Sequence, residues 1–310
     1  MFTKGILANI HPFHQLVLLL IISLLSLLIA TTLASLFLFL YTGIGLADTF
    51  TIMQQLDDPL SILYLRVLQI ANQIGLFIIP PLLFAGIVAG KPGAFLRITV
   101  STDTLMIILS LLVLVSAYPF VYWLMLINKE LALPEWLHRF ETWMHESEAS
   151  AEQLTKLFLE VQTTREYLFN LFMIAVLPAI GEELFFRGAL QTLLHRWTKN
   201  GHAAVWISAV LFSALHLQFF GFLPRLFLGV LFGYMVMFGG SLWLAIAAHF
   251  FNNATAVTIA WFYRRGWVSA DYDQINYLAG SGWMFAGLII TGLLLFVIYS
   301  RSKGKQYIDY

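Results

Sequence analysis

Apolar residues fill this chain in long runs, without the alternation of half-buried strands or the narrow stripe of a soluble amphipathic helix. The runs are about twenty residues long, the length a helix needs to cross a hydrocarbon core of roughly 30 Å. They predict an all-α polytopic membrane bundle of about eight transmembrane helices, over residues 16–43, 61–89, 101–126, 168–195, 203–220, 222–240, 241–262 and 281–300. The first run follows Lys4 but is too long for a signal-peptide core, so it reads as a retained span. Between the third and fourth spans lies the one long polar segment, Asn128 to Arg165. It is rich in glutamate and carries Trp136, Trp143 and Leu157 at loosely amphipathic spacing, which suits a segment on the membrane surface or packed over the bundle.

Composition agrees with the pattern. Hydrophobic residues make up 60% and charged residues 11% of 310, and the mean hydropathy is +0.81, far from the balance of a soluble domain. The net charge of zero gives no reason to expect nucleic acid as a partner. With no cysteine in the chain, disulfides, thiolate metal sites and a cysteine nucleophile are excluded. No repeat or linker divides the sequence, so one membrane domain is expected, with residues 1–165 supplying the first spans and the polar segment and residues 166–305 the chemistry. Gly229 and Gly233 form a small-xxx-small pair suited to close helix packing.

Lysine and arginine in the short loops set the expected orientation. Lys91, Arg97, Arg196, Lys199, Arg301, Lys303 and Lys305 fall on one side, which the positive-inside bias makes cytoplasmic, with both termini. Asp48, Asp57, Asp58 and the glutamate-rich segment face the other way, and Arg264 and Arg265 conflict with the scheme.

The fourth span holds Glu182, Glu183 and Arg187 in an otherwise apolar helix, each costing about 2.5–3.5 kcal/mol near a helix centre. Glu183 and Arg187 are four apart and can pair, whereas Glu182 is turned about 100° away and needs another partner. A carboxylate in such a place suits a general base or acid acting on water, and Pro178 can bend the helix to admit it. A purely structural ion-pair network or a transport relay would use the same three groups. The fifth span adds Phe212 and His216, and the seventh His249 and Asn253, again four apart. At 1.5 Å per residue Glu182 and His216 each lie about 20 Å from the cytoplasmic ends of their spans, and His249 and Asn253 about 12–18 Å, a common depth that one site requires. Asn72, Gln73, Asp103 and Arg225 are assigned to packing and interface roles, and Asn252 to structural hydrogen bonding pointing elsewhere than Asn253. No H-E-x-x-H zinc motif, G-x-S-x-G elbow or intramembrane aspartate pair is present.

Glu182-Glu183-x-x-x-Arg187, Phe212-x-x-x-His216 and His249-x-x-x-Asn253, with Ser241-Leu-Trp243 before the last, resemble in order and spacing the motifs of the CAAX prenyl endopeptidase type 2 and bacteriocin-processing (CPBP, or Abi) family of intramembrane proteases. The likeness covers about residues 170–260. It implies an eight-helix bundle with a cavity open to the cytoplasm, in a bacterial-type plasma membrane, and endoproteolysis of a peptide or membrane-protein substrate by water attack. Carried over, Glu182 and His216 would activate water, His249 and Asn253 would stabilise the oxyanion, and Glu183 and Arg187 would hold the helix. Members are often called metalloproteases, and Glu182, His216 and His249 form a ligand set able to take Zn²⁺, though the same groups could work without it. The rival readings are a non-catalytic scaffold or bacteriocin-immunity factor with the same fold, and a proton-coupled transporter, against which no inverted repeat is found.

Overall fold

The computed structural model describes residues 5–55, 58–131, 133–269 and 282–302; Lys4, Asp57, Lys303 and Lys305 lie outside them. The long helices are α1 (Pro12–Thr42), α2 (Leu46–Gln54), α3 (Pro59–Ala89), α4 (Thr104–Glu130), α5 (His138–Leu159), α6 (Thr164–Thr198), α7 (Gly201–Ala214), α8 (Phe222–Gly239), α9 (Leu242–Arg264) and α10 (Trp283–Arg301). No described residue is in a strand. Among the described residues seven helices are long and apolar enough to cross a membrane, and α7 is a shorter apolar helix, so the chain is an integral multi-pass membrane protein.

Polar side chains mark where helices start, because the first N–H groups lack intrahelical partners. Asp58 accepts from Leu60 N at 2.8 Å before α3, and Asp103 from Met106 N at 2.8 Å before α4. Thr163 and Glu166 form a capping box at α6. Gly43, Gly90 and Gly240 end α1, α3 and α8 in the left-handed conformation that glycine adopts without strain.

The fifth predicted span departs from expectation. Its helix stops at Ala214, and His216 lies in the turn that follows, with Leu217 at φ 53°. Hydropathy does not mark this end, since Leu215, Leu217, Phe219 and Phe220 continue the apolar run. The remaining predicted spans match helices to within about four residues.

Two ends of the bundle differ in charge. At the basic end Arg196 donates to Gln15 Oε1 (3.3 Å), Leu242 N to the Arg97 carbonyl (3.2 Å), and Arg301 approaches Asp103 (3.9 Å). Here Ser241 donates to the Val100 carbonyl and Trp243 Nε1 to the Ile98 carbonyl, so the Ser-Leu-Trp run staples α9 to the loop before α4. At the opposite end α5 crosses the bundle, and Glu148 accepts from Phe220 N (3.3 Å). Arg264 pairs with Glu160 (3.4 Å) and Arg265 donates to the Gln162 carbonyl (3.1 Å). The two arginines that conflicted with the charge bias are thus held by the polar segment they face. The main buried core runs from Leu19 on α1 to Ile298 on α10 and includes Phe186, Leu193, Phe232 and Ala248, and a small second cluster of Val205, Ala209 and Val230 joins α7 to α8.

Candidate active site

Helix α6 is not regular around its charged residues. It opens to π geometry over Leu171–Val176 and again over Leu184–Leu190, with the α-helical stretch Leu177–Glu183 between; such π-turns recur at functional sites. Pro178 has no N–H for the carbonyl of Ile174, four residues back. Asn253 Nδ2 donates to that carbonyl at 3.1 Å.

Glu183 is fully buried and its Oε1 accepts two hydrogen bonds, from Arg187 Nη1 and from His249 Nδ1, each 2.8 Å. Arg187 is also fully buried; its Nη2 donates to the Gly229 carbonyl at 3.1 Å and its guanidinium lies 4.4 Å over the Phe212 ring. One turn on, Gln191 Nε2 donates to the Gly233 carbonyl at 3.2 Å. The two glycines therefore do more than allow close packing, since each presents a backbone acceptor to α6. Buried charge is tolerable only when it is paired and hydrogen-bonded; Glu183 and Arg187 pair through Oε1 and Nη1, while Glu183 Oε2 and Arg187 Nε are buried without hydrogen-bond partners.

Glu182, 6% exposed, faces the other way. Its Oε2 lies 4.0 Å from His216 Nε2 and 3.9 Å from His249 Nε2, while Oε1 accepts from Gln73 Nε2 at 3.3 Å. The tautomers of the histidines follow from their other nitrogens. His216 Nδ1 is 2.7 Å from the Phe212 carbonyl, and His249 Nδ1 is 2.8 Å from the Glu183 carboxylate. Both partners only accept, so both Nδ1 atoms carry protons and both Nε2 atoms turn to Glu182. His249 is further fixed by stacking on Phe232, ring centroids 5.4 Å apart.

These groups line a cavity of about 500 Å³ together with Asn252, Asn253, Arg225 and Gln73. Its far wall is the α5 face of Ala151, Leu154, Thr155 and Phe158. The cavity therefore runs from Glu182 toward the end covered by α5, not toward the basic end. With a cytoplasmic basic end, the α5 wall of the cavity would face the other side of the membrane. Asn252 lines the cavity beside Asn253 instead of pointing elsewhere, and it makes the expected structural hydrogen bond, donating to Asn253 Oδ1 at 3.1 Å.

The donors suit zinc in kind but not in spacing. Ligands about 2.0–2.2 Å from a tetrahedral ion lie roughly 3.3–3.5 Å from one another, closer than the 3.9 and 4.0 Å found between Glu182 and the histidines. Among the described residues no three such side chains gather tightly enough to hold a metal ion.

Sequence reasoning brought together six residues that do meet here: Glu182, Glu183, Arg187, His216, His249 and Asn253. It missed Gln73 and Arg225 as cavity residues. The available signal for Gln73 was an uncharged polar group inside a span, which needs a partner as a charge does.

Residues 164–255 match the family model described as type II CAAX prenyl endopeptidase Rce1-like. The matched stretch includes every motif residue named above and ends two residues after Asn253. No curated protein and no solved structure matches the chain.

Proposed function

We propose that this chain, a member of the CPBP family through residues 164–255, hydrolyses a peptide bond of a membrane-associated protein or peptide with water activated by Glu182. The observation that carries the reading is the pair of gaps between Glu182 Oε2 and the two Nε2 atoms, 3.9 and 4.0 Å. They are too long for direct hydrogen bonds and suit one water with arms of about 2.8 Å.

Glu182 takes a proton from that water as its oxygen attacks the scissile carbonyl carbon, and His216 Nε2 accepts from the water's second hydrogen and orients it. The carbonyl oxygen becomes an oxyanion. Asn253 supplies the amide hydrogen not given to Ile174, and we assign His249, oriented by Glu183, as the second oxyanion donor through Nε2. Collapse of the tetrahedral intermediate breaks the C–N bond, and the proton on Glu182 passes to the leaving amine. Glu183 and Arg187 touch no reacting atom; they fix His249 and the helix. The spacing leads us to assign the chemistry to these side chains, with no step through a metal.

Detergent-purified protein incubated with a panel of prenylated and unmodified peptides, read by mass spectrometry, tests the proposal. New C-termini from the wild type and none from His216→Ala support it. Identical products from both, or none from either, count against it and favour a non-catalytic scaffold of the same fold.

A further inference from the structure

We propose that Gln73 is a positioning residue that holds Glu182 by one carboxylate oxygen so that the other faces His216 and His249; this deepens the peptidase reading and rests on it. Gln73 is on α3, far outside the matched stretch 164–255. It is 7% exposed, lines the cavity, and donates Nε2–H to Glu182 Oε1 at 3.3 Å. Its own oxygen is buried and has no hydrogen-bond partner. An amide left half-satisfied in a span is destabilising, which is hard to reconcile with a residue kept only for packing.

The surrounding backbone is shaped to bring Gln73 to Glu182. Immediately after Gln73, α3 opens to a π-turn over Ile74–Ile78. Gly75 in that turn lies against α1, where a Cβ would come within 2.7 Å of Ala30 Cβ. Gly181, the residue before Glu182, meets the same turn; a Cβ there would stand 3.0 Å from Ile78 Cγ1 and 3.1 Å from Phe77 Cβ. Gly181 thus lets α6 approach α3 closely at the level of the carboxylate, while Gly75 lets the same turn seat against α1, as small residues do at tight membrane-helix crossings. With Oε1 held, the lone pairs of Oε2 point at the site where water is activated.

The test compares wild type with Gln73→Leu and Gln73→Asn in one detergent. Leucine fills similar volume without the donor; asparagine keeps the amide on a stem one methylene shorter. A hydrophobic carbodiimide, which reacts with protonated carboxyl groups, is added, and labelling of Glu182 is followed by peptide mass spectrometry alongside cleavage kinetics. We expect Glu182 to label faster in both variants, kcat to fall about 10- to 100-fold, KM to change little, and the melting temperature of Gln73→Leu to hold or rise. An unchanged labelling rate, or faster labelling with wild-type kcat, overturns the inference. Should the wild type cleave nothing, the peptidase reading fails, and the labelling still decides whether Gln73 holds Glu182.

Discussion

Asn253 gives an amide hydrogen to the carbonyl of Ile174, 3.1 Å away, the carbonyl that Pro178 leaves without its usual helical donor. One side chain thus mends the break in α6 and reaches the cavity. Asn253→Ala is expected to lower stability by about 1–3 kcal/mol through the orphaned carbonyl as well as to slow cleavage about 100-fold through the lost oxyanion donor. Pro178→Ala restores an N–H. In a double-mutant cycle it should recover much of the stability lost in Asn253→Ala and none of the activity, which thermal unfolding and cleavage rates measured together will show.

Glu183 and Arg187 form a buried pair shared with His249. Removing one member strands a charge, so Glu183→Ala should destabilise the protein by about 3–5 kcal/mol. Replacing both residues by leucine and methionine should restore much of that stability while leaving His249 without its orienting carboxylate and the enzyme slow. Melting temperatures of the single and double variants check the first half, and cleavage rates the second.

Much of this arrangement was legible in the sequence because hydrocarbon imposes simple demands. A run of about twenty apolar residues must be a helix, and charges inside it must meet partners. That logic placed the helices and gathered Glu182, His216, His249 and Asn253. It did not find the early end of α7, because Leu215 and Phe219 are as apolar outside the helix as inside it. Gln73 escaped because its partner is 109 positions away, and only the α3–α6 crossing at Gly181 brings them together. The direction of the cavity depends on where α5 folds back, which loop charge does not encode.

The absence of cysteine makes the topology measurable. Lys199 at the basic end and Glu152 on the exposed face of α5 are suitable single-cysteine sites. With a cytoplasmic basic end, a membrane-impermeant maleimide added to intact cells should label Glu152→Cys and spare Lys199→Cys. The α5 wall of the cavity would then face away from the cytoplasm; the reverse pattern would place that wall on the cytoplasmic side.

Because the histidines and Glu182 stand too far apart for a tetrahedral ion, exhaustive treatment with a zinc chelator is expected to leave the cleavage rate within about twofold of the untreated enzyme. Loss of activity that added zinc restores would show that the side chains close around a metal.

The most direct measurement is the cleavage rate of purified Glu182→Gln against wild type on one peptide substrate. The variant keeps the side-chain size and cannot take a proton from water. A fall of about 100- to 10,000-fold with an unchanged melting temperature is predicted; cleavage at the wild-type rate would contradict the assignment of Glu182 as the base.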